Sequence, residues 1–194
     1  MKQVAIIDYG AGNVQSVRFA FERLGVKTVV TSDSSEIQSA THVIFPGVGH
    51  AKAAKSHLIE TGLIDFIKTL NQPVLGICLG MQLLCKQTEE GPTEGLQIFD
   101  TNVAKFNVNL KVPAVGWASV KPNNHPLFER LDNEQFYFVH SYYAQVSEQT
   151  IALADYEIPY SAALANNNFI GVQFHPERSG EAGEQLLNNF LKLS

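Results

Sequence analysis

The residues best suited to chemistry sit in one stretch, Val74-Leu75-Gly76-Ile77-Cys78-Leu79-Gly80-Met81-Gln82. An apolar run leads straight into a cysteine that has glycine two residues before and two after it, and a helical stretch follows. Gly-x-Cys-x-Gly is the thiol counterpart of the Gly-x-Ser-x-Gly elbow, a strained strand-to-helix turn that needs small neighbours at −2 and +2. The turn lifts the sulfur out of the sheet and sets it at a helix N-terminus, whose dipole favours thiolate over thiol. A thiol hydrolase built on Cys78 needs a base, a group that orients the base, and an oxyanion hole.

Six histidines compete for the role of base. His42 lies at a strand, His50 and His57 on or beside a polar helix face, and His125 in a turn, so these read as structural or solvated. His175 ends the apolar run Gly171-Val172-Gln173-Phe174 and is followed by Pro176-Glu177. Proline holds the preceding residue in extended conformation. Residues two apart in extended chain share a side, which sets Glu177 beside the imidazole. His140 is the rival base. It has no acidic residue near it in sequence and reads as structural or as support for the site. The oxyanion donors expected are the backbone N–H of Leu79, next after the nucleophile, and that of Val48 in Pro46-Gly47-Val48-Gly49. The two glycines allow close backbone approach and let the Val48 peptide reorient. Gln82, four residues after Cys78, shares its helix face and is placed to touch substrate.

These groups need a frame. Apolar runs at residues 4–7, 27–31, 42–45 and 73–77 read as strands. Helical spacing at 14–24, 51–59, 63–70 and from the elbow to about residue 87 alternates with them, and Asp33 or Ser34 caps a further short helix. Gly25 is the expected stop of the first helix. This alternation predicts an α/β fold: a single-domain, mostly parallel, doubly wound sheet flanked by helices, with ligands at the C-terminal strand ends. From about residue 96 to 173 short strand-like runs (102–106, 116–120, 136–139, 142–146, 151–154, 169–174) are broken by turn signals at 121–124 and 166–168. They predict a smaller antiparallel β region in the second half. A helix over 184–193 closes the chain. The whole, 1–194, reads as one domain.

Bulk properties exclude several classes of function. A net charge of −5 without a basic block argues against nucleic acid as the main partner. No apolar run approaches the ~20 residues of a membrane span, and the N-terminus reads as a first strand rather than a signal peptide. Cys78 and Cys85, seven apart on one predicted helix, are roughly 10 Å apart, too far for a disulfide. Their spacing does not suit zinc, and the chain reads as cytoplasmic with reduced thiols. Cys85 reads as a small buried hydrophobe. Gly10-Ala11-Gly12-Asn13-Val14-Gln15 lacks the third glycine of a dinucleotide fingerprint, so no cofactor and no metal is expected.

Taken together, Pro-Gly-Val-Gly, Gly-Ile-Cys-Leu-Gly-Met-Gln and Gln-Phe-His-Pro-Glu resemble the class I, or triad, glutamine amidotransferases. Residues 7–13 with Ser16-Val17, residues 137–142 and His175-Pro176-Glu177-Arg178-Ser179-Gly180 are similar to the glutaminase subunits of imidazole glycerol phosphate synthases, in histidine biosynthesis. The resemblance runs through essentially the whole chain. It implies that Cys78 attacks the glutamine side-chain amide, that His175 serves as acid and then base, and that Glu177 holds His175. It implies Leu79 and Val48 as oxyanion donors, and Gly47, Gly49, Gln82, Glu90, Ser141 and Tyr142 as glutamine contacts. It also implies a (βα)8-barrel synthase partner that receives the ammonia, with Asn13, Trp117, Tyr137 and Arg178 near the interface. The chain departs from the family at Pro113-Ala114-Val115-Gly116-Trp117-Ala118, where Pro-His-Met-Gly-Trp-Asn is usual; this puts the partner contacts in doubt. Alternatives that keep the fold are a paralogous glutaminase feeding another acceptor, a non-catalytic binding subunit, and a stand-alone cysteine hydrolase.

Overall fold

Burial on both faces makes the first half a parallel sheet. In the computed structural model, which describes residues 2–10, 12–132 and 134–194, it runs β1 (Gln3–Ile7), α1 (Val14–Arg23), β2 (Lys27–Thr31), α2 (Ser34–Ser39), β3 (His42–Phe45), α3 (Ala51–Glu60), α4 (Leu63–Lys68), β4 (Val74–Ile77) and α5 (Leu79–Leu84). Ala11, inside the glycine segment before α1, lies outside the described residues. Successive strand residues point to opposite sides. Val4 and Ile6 join one core with Val17, Phe21, Leu186 and Phe190. Ala5 and Ile7 join the other with Ile37, Leu58, Ile67 and Met81. Strands buried on both faces in this way favour parallel pairing under helices. Local signals close the helices. The Asp33 carboxylate accepts from the N–H groups of Ser35 and Glu36, and Gly25, at φ +72°, donates to Glu22 O and ends α1.

The second half runs β5 (Gln87–Thr88), β6 (Thr93–Glu94), β7 (Asn102–Lys105), β8 (Ala114–Ser119), β9 (Lys121–Pro122), β10 (Gln135–His140), β11 (Tyr142–Ala144), β12 (Thr150–Asp155), β13 (Pro159–Asn166), β14 (Phe169–Val172) and α6 (Gly180–Phe190). The main sheet has the order β2-β1-β3-β4-β14-β13-β11-β7-β5-β6. Its first five strands are parallel, and from β13 onward the pairings are antiparallel except that of β7 with β5. Among the described residues only β8 and β10 form a separate two-stranded sheet. The antiparallel region is thus largely a continuation of the parallel sheet. One pairing matters most: β14 lies beside β4 with Val172 opposite Ile77. Residues 95 apart in sequence therefore leave the sheet side by side.

Four expectations are corrected. The elbow helix ends at Leu84, not near residue 87, and Cys85 is already extended. The cause is tertiary, because the N–H groups of Leu96, Gln97, Ile98 and Phe99 take the carbonyls of Leu83, Cys85 and Leu84. The two cysteines therefore do not share a helix. Cys85 is fully buried, and burial pushes its thiol well above the usual range. The last helix spans Gly180–Phe190 rather than 184–193. Lys121–Pro122, read as part of a turn, pairs with β12 as a short strand. The longest strand, β13, covers residues 159–165, which carry no element signal in the sequence, and Asn166, the first residue of the expected 166–168 turn.

Candidate active site

Cys78 occupies the bend between β4 and α5 at φ 53°, ψ −109°. A non-glycine residue there costs on the order of 1–3 kcal/mol and persists only where its surroundings hold it. They do so closely. A Cβ on Gly80 would lie 2.0 Å from Phe45 O, and one on Gly76 would lie 2.9 Å from Met81 N. The Cys78 N–H donates to Val172 O at 2.8 Å, which ties the bend to β14.

His175 stands at the end of that neighbouring strand. Its N–H donates to Tyr137 O at 2.9 Å, and its own carbonyl accepts from the Ser179 hydroxyl. Pro176–Arg178 then form a turn of 3₁₀ helix. Glu177 comes back beside the ring through this turn, not through extended chain, and its Oε1 lies 2.9 Å from His175 Nδ1. A carboxylate can only accept, so Nδ1 carries the proton. Nε2 is left buried with no hydrogen-bond partner among the described residues. Burial works against charging this ring, but the adjoining Cys78 sulfur and the Glu177 carboxylate outweigh it and raise the imidazole to about 10.

Cys78 and His175 line one cavity of roughly 300 Å³, with Asn13, Val48, Gly49, Leu79, Gln82, Glu90, Pro113, Ser141, Tyr142 and Arg178 around it. That volume is at the small end for ligand pockets and suits a substrate of amino-acid size. Gly47 is the one expected glutamine contact missing from the wall. It packs beneath, where an added Cβ would lie 2.5 Å from Gly80 N. The Glu90 carboxylate accepts from Ala51 N at the start of α3, at 2.8 Å. The Leu79 N–H is not free: it donates to Gly47 O at 3.3 Å. Val48, by contrast, is 41% exposed.

The remaining histidines stay out of this arrangement, with one partial exception. His140 is buried against Phe106, Phe138 and Tyr160, and its Nδ1 donates to Tyr142 O at 2.8 Å. Burial lowers it to about 4, so it is a neutral ring at the cavity edge, and among the described residues no carboxylate is hydrogen-bonded to it. Three contacts were not foreseen from sequence. Gln173 approaches the sulfur, Ser179 braces His175, and Tyr9 donates its hydroxyl to Pro46 O at 2.8 Å at the base of the glycine loop.

On the rim, Trp117 is 54% exposed, so the lone tryptophan is not core. It faces Tyr137 directly across the β8–β10 pair, with ring centroids 6.2 Å apart. The Arg178 guanidinium lies 4.7 Å above the Tyr137 ring. Asn13 caps α1 beside this row and accepts from Ser16 N. In β8 the alternation turns Ala114, Gly116 and Ala118 inward and Val115, Trp117 and Ser119 outward. Ala114 and Ala118, where the family has histidine and asparagine, therefore face the chain's own core, while Val115, where it has methionine, faces outward.

The model of the family "Glutamine amidotransferase class-I" matches residues 5–193. The chain is 53% identical to the imidazole glycerol phosphate synthase subunit HisH of Bacteroides fragilis, covering 98% of this chain and 100% of that one. It is 46% identical to the protein of the same name from Pasteurella multocida, over 99% and 98% of the two chains. Among solved structures it is similar to a glutamine amidotransferase at TM-score 0.76 with 17% identity, over 97% of each chain. It is also similar to PurLQS from Thermotoga maritima at TM-score 0.74 with 16% identity, over 98% and 97%. At those identities the structural likeness concerns the fold.

Proposed function

The chain belongs to the class I glutamine amidotransferases, and from this premise we infer that it hydrolyses glutamine to glutamate and ammonia as the HisH-type subunit of an imidazole glycerol phosphate synthase, in histidine biosynthesis. One observation carries the chemistry: a strained Cys78 and His175, held by Glu177 at 2.9 Å from behind the wall, share one small cavity at the ends of adjacent strands.

The reaction we propose follows from the protons. The raised imidazole favours a protonated His175 beside the Cys78 sulfur. The sulfur attacks the side-chain carbonyl carbon of glutamine, and the oxygen gains charge. As the C–N bond breaks, Nε2 gives its proton to the leaving nitrogen, and ammonia and a thioester result. The neutral ring then takes a proton from water, hydroxide adds to the thioester, and the C–S bond breaks to give glutamate and the thiolate. Glu177 keeps the ring oriented and supports its positive charge in both halves.

The oxyanion donors explain why a partner is needed. With Gly47 O on the Leu79 N–H, the hole is occupied by a carbonyl, which repels a developing oxyanion. Turning the Gly47–Val48 peptide would withdraw that carbonyl and present the Val48 N–H in its place. Gly49, at φ +98°, is the flexible joint on the far side. We assign the turning to a (βα)8-barrel synthase subunit seated on the Trp117–Tyr137–Arg178 face, which would also shelter the ammonia from protonation by water. Gln82, Glu90, Ser141 and Tyr142 hold glutamine in this reading, with Glu90 toward its ammonium group. The site uses no cofactor, residues 1–194 act as one amidotransferase domain, and the buried reduced thiols suit the cytoplasm. Among the described residues no helix is long and apolar enough to cross a membrane.

The test is glutamate release by the purified chain with and without the synthase subunit and its acceptor ligand, with Cys78→Ala as the blank. Low activity alone, strong stimulation by the partner, and loss of both in the variant are expected. Full activity of the isolated chain would remove the argument for a resting, blocked oxyanion hole.

A further inference from the structure

We propose that Gln173 is an additional catalytic residue, whose side-chain amide donates a hydrogen bond to the Cys78 sulfur and supports its negative charge before attack and again when the sulfur leaves the thioester. The proposal rests on the reading of Cys78 as the nucleophile and adds a group that this reading does not contain.

Gln173 follows β14 and has no solvent exposure. Its backbone N–H donates to Ala162 O at 2.8 Å, so the chain there is fixed. Its Nε2 lies 3.6 Å from Cys78 Sγ, a normal length for an N–H donor to sulfur. Its Oε1 accepts from Gln82 Nε2 at 2.9 Å. Gln82 Nε2 also donates to the backbone carbonyl of Tyr142 at 2.9 Å. The same carbonyl accepts from His140 Nδ1 at 2.8 Å, which uses both of its lone pairs.

This chain of contacts fixes which end of the Gln173 amide meets the sulfur. A backbone carbonyl cannot turn round, and only an N–H can face it, so the Gln82 amide nitrogen is directed at Tyr142 O. The second hydrogen on that nitrogen then points at Gln173, and only an oxygen can receive it. The opposite end of the Gln173 amide, its NH₂, is thereby committed to Cys78. Reversing either amide would set donor against donor or carbonyl against carbonyl in a buried place, where unpaired polar groups are expensive. The amides also lie in series, so each polarises the next and strengthens the last bond, the one to sulfur.

The chemistry follows from where the charge goes. The hydrogen bond is strongest while the sulfur is anionic and weakens once the C–S bond has formed. Gln173 therefore favours the thiolate in the free enzyme and favours it again as leaving group when water attacks the thioester. His175 moves the protons, and Gln173 moves none. It acts from the interior, through a link to the Ser141–Tyr142 segment on the cavity wall, and so ties the position of that wall to the state of the sulfur.

The test is iodoacetamide alkylation of Cys78 in the full chain, followed by mass spectrometry across the titration range of a thiol. Gln173→Met keeps length and burial and removes the donor; its half-maximal rate should move up by about one pH unit. Gln173→Glu keeps the acceptor for Gln82 but sets a carboxylate against the sulfur, and its midpoint should move in the same direction by more. Thermal melting establishes that each variant is folded. A folded Gln173→Met whose profile coincides with the parent's overturns the proposal. Where neither variant folds, the parent chain decides it by NMR. The Gln173 side-chain amide resonances should follow Cys78 ionisation and lose that response once Cys78 is carboxamidomethylated; resonances indifferent to pH overturn it. Neither measurement uses glutamine or the synthase, so failure here is distinct from failure of Cys78→Ala to abolish glutaminase activity.

Discussion

At the scale of single residues His140 and His175, two of the three buried histidines, make opposite demands on pH. His140 is lowered to about 4 by burial, among Phe106, Phe138 and Tyr160, with the Tyr142 carbonyl on one nitrogen and His175 as the charged group nearby. The unfolded chain binds a proton there near the ordinary value of 6.5 and the folded chain does not. Stability from this site is complete above 6.5 and lost as pH falls toward 4, by on the order of 3 kcal/mol. His175 is raised, so its contribution is complete below 6.5 and lost as pH rises toward about 10. Urea denaturation as a function of pH should show a flatter acid limb in His140→Asn, whose amide can replace the Nδ1 donor, and a flatter alkaline limb in His175→Gln. Parallel curves would contradict these assignments. A second expectation concerns Glu177→Gln. It keeps the size of the side chain but withdraws the charge that supports the imidazolium, and the partner-stimulated kcat should fall roughly 10²–10³-fold with KM little changed. Cys78 and His175 are legible in sequence because each is announced by its immediate neighbours, glycines at ±2 for the cysteine and a proline for the histidine; Glu177 is legible by its nearness to His175, though a 3₁₀ turn rather than extended chain brings it to the ring. Gln173 and Ser179 lie inside the histidine motif, but nothing local says what they touch beyond His175 O: Gln173 meets Cys78 and Gln82 from the elbow, Ser179 meets Tyr137 N from β10, and only the folded chain brings these together.

At the scale of elements the elbow is a packing problem as much as a chemical one. Gly80 sits in α5 with its Cα against the end of β3, and a Cβ there would stand 2.0 Å from the carbonyl oxygen of Phe45. A backbone oxygen has no rotamer by which to escape. Gly80→Ala should therefore cost at least ~2 kcal/mol of stability. It should lower the urea midpoint at unchanged slope, and it should reduce alkylation of Cys78 because the bend opens to relieve the clash. An unchanged midpoint would mean that α5 can slide away from β3. Sequence reasoning found these elements where local signals govern them, as at the apolar runs of β1, β3 and β4 and at the Asp33 and Gly25 ends. It failed where tertiary contacts govern. No residue within α5 says that the helix stops at Leu84; residues 96–99, which take its last carbonyls, do. β13 escaped because Ser161-Ala162-Ala163-Leu164-Ala165 is rich in alanine, a poor strand former, and buried on both faces, so it shows neither β-branched residues nor alternation.

At the scale of the whole molecule the site is open at one end, and the character of that opening points to a partner surface. Val115 and Trp117 project from the outer face of β8, 60% and 54% exposed, while Ala114 and Ala118 behind them are turned inward. Trp117 leans on Tyr137, Tyr137 lies under Arg178, and Arg178 lines the cavity that holds Cys78. An exposed aromatic linked by contacts to the Cys78 cavity has little to do in a chain that works alone and suits one that, in the proposed reading, must seal ammonia from water. Buried tryptophan and arginine anchors commonly dominate interface energies, whereas on an isolated chain the same side chain contributes little. Trp117→Ala should accordingly leave the melting of the isolated chain within about 0.5 kcal/mol of the parent. It should weaken binding of the barrel synthase by about 2 kcal/mol, some 30-fold in Kd. Titrating the synthase into the chain while following glutamate release separates this from damage to the site: at saturating partner the variant should recover most of its kcat. If kcat stays low at saturation, Trp117 acts on the oxyanion loop as well as on docking. If neither quantity changes, the partner sits elsewhere, and the β8 face has to be read as a surface without that role.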